Sequence, residues 1–157
     1  MRKSLLHRRG GQSMVEFAVL APVFFLLLLG TIDLGRAVYI YNTISDAARE
    51  GTRAAIPFDT PLPTSADVLG AVQSKLGGGF ALTTDPCSGQ PVTASCPTTP
   101  TVPNSGYVWY SSGIGTPGRG TVTVKISFLF QPWVPVVRDA AGNGLVISAQ
   151  STMVTEY

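Results

Sequence analysis

Catalytic side chains are scarce in this sequence. It holds one histidine, His7, two cysteines, Cys87 and Cys96, and only 13% charged residues in a chain of 157. His7 sits among arginines, where a membrane-surface or spacer role suits it better than proton transfer. No His-Glu helix motif, Gly-rich phosphate loop or nucleophile elbow is present. Gly77, Gly78 and Gly79 lack the Lys-Ser/Thr pair that must follow a phosphate-binding loop. Asp85, Asp139 and Glu156 are scattered and suit turns or chain ends. The expectation is a protein that is not an enzyme and takes no cofactor or metal. Positive charge gives no better lead. The net charge is +2, yet Arg2, Lys3, Arg8 and Arg9 lie within the first eleven residues, which leaves −2 for the remainder. That balance belongs to the leader and predicts no nucleic-acid partner.

What is present is a long apolar run behind a single acid. Residues 11–32 read GQSMVEFAVLAPVFFLLLLGTI, and 17–32 carry no charge. As a helix, 12–32 reaches roughly 31 Å at 1.5 Å per residue, about one hydrocarbon core. The basic leader 1–11 predicts a cytoplasmic N-terminus and export of everything from residue 33 onward. Pro22 lies inside the span, where membrane helices tolerate a bend. Gly30 and Gly35 leave room for close approach of another helix.

Glu16 has two readings. In the first it is a solvated carboxylate among cytoplasmic headgroups, at little cost and to no purpose. In the second it is kept at the membrane boundary for function, as ionisable groups there usually are. Cleavage at a prepilin-type site after Gly11 creates a new α-amine on Gln12, and Glu16 neutralises the amine of a neighbouring subunit. Both groups are ionised at neutral pH, and such a pair specifies the axial register of adjacent helices. The glycine five residues upstream, the basic leader and the lack of a conventional signal-cleavage region favour the second reading.

Helical character continues past the membrane. Residues 33–56 are rich in alanine and free of proline, and Ala37, Ile40, Ile44, Ala47, Gly51 and Ala54 recur at spacings of three and four. That seam of small residues suits close packing against another surface, whereas Asp46, Arg49, Glu50 and Arg53 lie mostly off it as a solvated face. One helix is predicted over 13–56, stopped by Pro57. The stretch 57–65 reads as a stiff linker. A short helix follows at 66–76, with Ser65 or Thr64 placed to cap it and Gly77 to end it. Val68, Leu69, Val72 and Leu76 share its apolar side. Strands are expected at 80–84, 106–111, 121–130 and 145–154. The third is the strongest, because Val122, Val124, Ile126, Phe128 and Phe130 alternate with Thr123, Lys125, Ser127 and Leu129. Residues 131–144 read as a connection with a tight turn at Asn143 and Gly144. Tyr107, Trp109 and Tyr110 form either a contact patch or part of the strand core, the latter being the simpler account.

Cys87 and Cys96 fall in the exported part, inside a Pro-, Thr-, Ser- and Gly-rich stretch at 85–106. A disulfide pinning an exposed loop is expected there, worth roughly 2.5–3 kcal/mol by loop-closure entropy. The fold class is α+β: a long N-terminal helix, transmembrane in its first half, then a small extracytoplasmic domain with a short helix and antiparallel strands. The divisions are leader 1–11, transmembrane helix 12–32, helix extension 33–56 and globular region 57–157.

The opening Gly-Gln-Ser…Val-Glu-Phe and the closing Ala-Ala-Arg-Glu-Gly…Arg make residues 11–55 resemble the TadE-like family of the tight-adherence (Flp) pilus system. The resemblance implies a pseudopilin or minor pilin, with the processing site at Gly11 and Gln12 and with Glu16 and Phe17 as the acidic–aromatic pair used in assembly. Flp-type pilins often carry tyrosine after the glutamate; Phe17 keeps the ring and loses the hydroxyl. Implied partners are the membrane, a prepilin peptidase, other pilin-like subunits and the tight-adherence secretion machinery. Two other classes compete. One is an unprocessed single-pass anchor displaying a binding or adhesion domain, in which Glu16 is incidental. The other is a secreted protein cut after Gly35, Arg36 and Ala37, a weak small-x-small site flanked by the atypical charge of Asp33.

Overall fold

A computed structural model describes residues 11–56, 63–93, 95–111, 120–142 and 144–155. His7, most of the leader, Pro57 with most of the linker, Asn143 and Glu156 lie outside the described residues. The elements run α1 (Gln12–Ala55), α2 (Ser65–Leu76), a 3-10 turn (Gly77–Gly79), β1 (Ala81–Thr84), β2 (Ser105–Tyr110), β3 (Gly120–Phe130), α3 (Pro135–Ala140) and β4 (Leu145–Thr155). The α+β class expected from the sequence is the one observed.

Helix α1 is 44 residues long and continues through Pro22. At 1.5 Å per residue it measures about 66 Å. Its halves differ sharply. From residue 12 to 32 almost every side chain is exposed, Phe17, Leu20 and Leu27 among them. Burial begins at Asp33 and continues through Ile40, Ile44, Ala47, Ala48, Gly51, Thr52 and Ala55. Helix α2 starts at Thr64, whose side chain accepts from the Asp67 amide while the Asp67 carboxylate accepts from the Thr64 amide. That reciprocal capping box explains why the helix begins where it does. Gly77 closes it at φ +65°, a conformation glycine adopts without a steric penalty.

The four strands form one sheet in the order β1-β2-β3-β4. Pairing of β2 with β3 and of β3 with β4 is antiparallel, but β1 runs parallel to β2, which corrects the all-antiparallel expectation. The cause is the 85–104 connection: it carries the chain back to the starting end of β1 before β2 begins, and nothing in the composition of a loop states its direction. A second correction concerns 131–144, where Pro135 starts the short helix α3 instead of a plain connection. Proline at the first helical position is favourable because its missing N–H is not needed there.

One sheet face carries Leu82, Val108, Val122, Val124, Ile126, Phe128 and Phe130, all buried. They pack on α1 through Ile40, Ile44 and Ala47 and on α2 through Val68, Val72 and Leu76. Residues with period two on β3 therefore meet residues with period 3.6 on two helices, as sequence alternation anticipates. At Gly51 α1 packs tightly on α2, since a Cβ there would lie 2.6 Å from Val72 Cγ2.

The opposite face is partly covered by the disulfide loop. Cys87 and Cys96 are bonded, with Cα atoms 5.6 Å apart. Trp109 is only 5% exposed and donates its indole N–H to the Cys87 carbonyl at 3.1 Å. It belongs beneath the loop rather than in the helix-facing core, whereas Tyr110 packs on that core. The loop also lies closer to the sheet than an exposed tether. Buried Asp85 accepts from the Cys87 and Thr98 amides at 2.7 and 2.8 Å, and the Gly89 amide donates to the Tyr110 carbonyl.

Candidate assembly site

The first candidate region is the N-terminal end of α1. Gly11 occupies the N-cap position without a side-chain cap, and its carbonyl accepts from the Val15 amide at 3.2 Å. Gln12 and Glu16 are one helical turn apart on the same face, and the Gln12 side-chain amide donates to Glu16 Oε1 at 3.3 Å. Phe17 beside them is 70% exposed. All four residues are exposed, on a part of the helix that packs on no other element among the described residues. The seam expected to face another surface does so inside the protein: Ile40, Ile44, Ala47 and Gly51 are buried against α2 and the sheet, with Ala37 and Ala54 half-buried at its edges. A different stripe remains open. Leu34, Val38 and Tyr41 recur at helical spacing and are 65%, 52% and 50% exposed. Gly35, Arg36 and Ala37 lie in mid-helix.

The second region lies where the apolar run ends. Asp33 is 4% exposed and accepts from the Trp133 amide at 2.9 Å and the Val134 amide at 3.0 Å. Arg36 donates to the same carboxylate at 3.1 Å. Its guanidinium also stacks on the Trp133 ring, 3.8 Å from the centroid, with the Phe130 ring 5.2 Å away. Burial by itself pushes the Asp33 carboxyl up, but the Val134 and Trp133 amides together with Arg36 outweigh it and hold the group below its ordinary value. This clasp fastens the first turn of α1 beyond the apolar run to the β3–α3 connection. Sequence reasoning missed it. The available signals were an acid directly after a membrane-length run and the apolar Trp-Val-Pro-Val-Val string, but residues separated by a hundred positions announce no pairing.

Among the described residues, no three His, Cys, Asp or Glu side chains gather as a metal site requires. Helix α1 is long and apolar enough to cross a membrane. Residues 11–53 match the family model described as TadE-like protein. Over that segment the chain is TadE-like. The TadE-like segment contains both Glu16 and Asp33 and ends two residues before α1 does. The match covers only that segment, while the apolar run within it makes α1 a candidate membrane anchor. No curated protein and no solved structure matches the chain.

Proposed function

We propose that this protein is a pseudopilin or minor pilin of the tight-adherence (Flp) pilus, a structural subunit that acts by helix packing and protein contacts. Residues 12–32 hold it in the cytoplasmic membrane with the N-terminus inside and the domain outside. A prepilin peptidase cuts after Gly11. The observation that carries this reading is the lone carboxylate of Glu16, four residues into a TadE-like helix whose apolar half stands clear of its own domain. Four residues of helix rise about 6 Å. A neighbour displaced axially by that amount brings its Gln12 amine level with Glu16, so the charge pair selects one stagger among many that apolar contacts alone tolerate. With the Ala47–Gly51 side of α1 committed to the domain core, lateral contacts fall to the stripe of Leu34, Val38 and Tyr41. Gly11→Ala is expected to reduce processing, seen as leader-bearing protein by intact mass. Glu16→Ala is expected to insert in the membrane and be processed normally, yet to impair assembly. Normal piliation in that strain overturns the pairing role.

A second reading, an unprocessed single-pass anchor carrying an extracytoplasmic binding or adhesion domain, draws on one specific contact. Glu16 already has a partner within its own helix, the Gln12 side chain. N-terminal analysis of membrane-extracted protein separates the two. A start at Gln12 supports the subunit and a retained leader supports the anchor, while a start at Val38 points to secretion instead.

A further inference from the structure

The clasp at Asp33 fixes the height of a surface as well as the direction of a helix. Asp33 is the first charged residue after the uncharged run, so it marks the level at which α1 leaves the apolar layer. Its carboxylate is bonded directly to the Trp133 and Val134 amides. The connection after β3 therefore lies at that same level. The side chains it presents there are the wrong kind for open water. Trp133 is 69% exposed and Val136 62%, while Leu145 and Val146, at the adjoining start of β4, are 48% and 46% exposed. Leu145 pairs with Phe130, the last residue of β3, so these positions share one end of the sheet. Tryptophan is favoured at a membrane–water boundary because its ring is apolar and its N–H polar. Arg36 is stacked on that ring, 3.8 Å from its centroid, and a cation at such a boundary is attracted to lipid phosphates.

We propose that the rim formed by Trp133, Val136, Leu145 and Val146, with Arg36 stacked on Trp133, rests on the outer headgroup layer of the bilayer that α1 crosses. The inference rests on the reading of 12–32 as a membrane span. Contact at the rim gives the domain a second attachment to the lipid surface beside its helix. The domain is then held against the bilayer until the subunit is withdrawn from it.

The two tryptophans make the test direct, since Trp109 is buried and Trp133 is not. The full chain is reconstituted in phosphatidylglycerol–phosphatidylcholine vesicles and recovered by flotation. Tryptophan emission is then compared in lipids brominated near the headgroups and near the bilayer centre. In the Trp109→Phe variant, emission is expected to lie to the blue of that in water. It should be quenched more by shallow than by deep bromines and protected from acrylamide. Should that variant not fold, the difference between wild type and Trp133→Phe reads the same signal. Floated protein whose Trp133 is unquenched by bromines at either depth overturns the proposal. Accompanying acrylamide access then means open water, and protection from both quenchers means a protein contact. Failure to float removes the span and the rim contact together.

Discussion

At the scale of single residues, Asp33 is the position where most depends on one side chain. Two backbone amides and one guanidinium converge on a carboxylate that is almost entirely shielded from solvent. Removing the acceptor leaves those amides without a partner, and a buried unsatisfied donor costs about 1–3 kcal/mol. Asp33→Ala is expected to lower stability by about 2 kcal/mol, measured by thermal unfolding in detergent. The sign of the pH dependence follows from the same contacts. The folded carboxyl lies below its ordinary value of 3.8, so its stabilisation is complete above that value and is lost as pH falls through the lower folded one. Wild type and Asp33→Ala should therefore differ by a constant amount near neutrality and converge in strong acid. The comparison matters because Asp67, held down by the Thr64 side chain and amide, titrates in the same direction in both proteins.

At the scale of elements, much was legible. The alternation of Val122, Val124, Ile126, Phe128 and Phe130 gave β3 and its buried face, and the spacing of Ile40, Ile44 and Ala47 gave the packed side of α1. Thr64, one of two cap candidates, gave the start of α2, whereas its reciprocal partner Asp67 was not read from the sequence. These signals are local, set by side-chain period or by a cap three residues away. The parallel direction of β1 and the pairing of Asp33 with Trp133 were not legible, because both depend on where a loop brings the chain back. Helix α3 was obscured by length: six residues are too few to display a 3.6-residue period. The tight helix contact at Gly51 carries its own expectation. Alanine at Gly51 gains about 0.8–1 kcal/mol of helix propensity. Its methyl would press on the Val72 and Val124 side chains, and overpacking of that kind costs about 1–3 kcal/mol. The second effect should win, so Gly51→Ala is expected to lower the melting temperature, and Gly51→Val to lower it further.

For the whole molecule, the disulfide loop and the long helix do different work. Cys87→Ser with Cys96→Ser is expected to cost roughly 2.5–3 kcal/mol through loop-closure entropy. Loosening the loop also uncovers Trp109, whose indole bonds to the Cys87 carbonyl, so its emission should shift to the red. The long helix sets orientation. Because α1 enters the core with no hinge between residues 32 and 33, the membrane rod and the domain share one axis and one rotational setting. Each α-helical residue turns about 100°. One extra alanine after Ile32 should therefore swing the domain by about that angle around its rod, leaving the clasp, the core and the melting temperature untouched. Assembly, read by electron microscopy of piliated cells, is expected to fail in that strain. The uninterrupted helix thus works as a compass: in the proposed role as a pilus subunit, whichever side of the rod a neighbour chooses, the domain's bearing has already been decided.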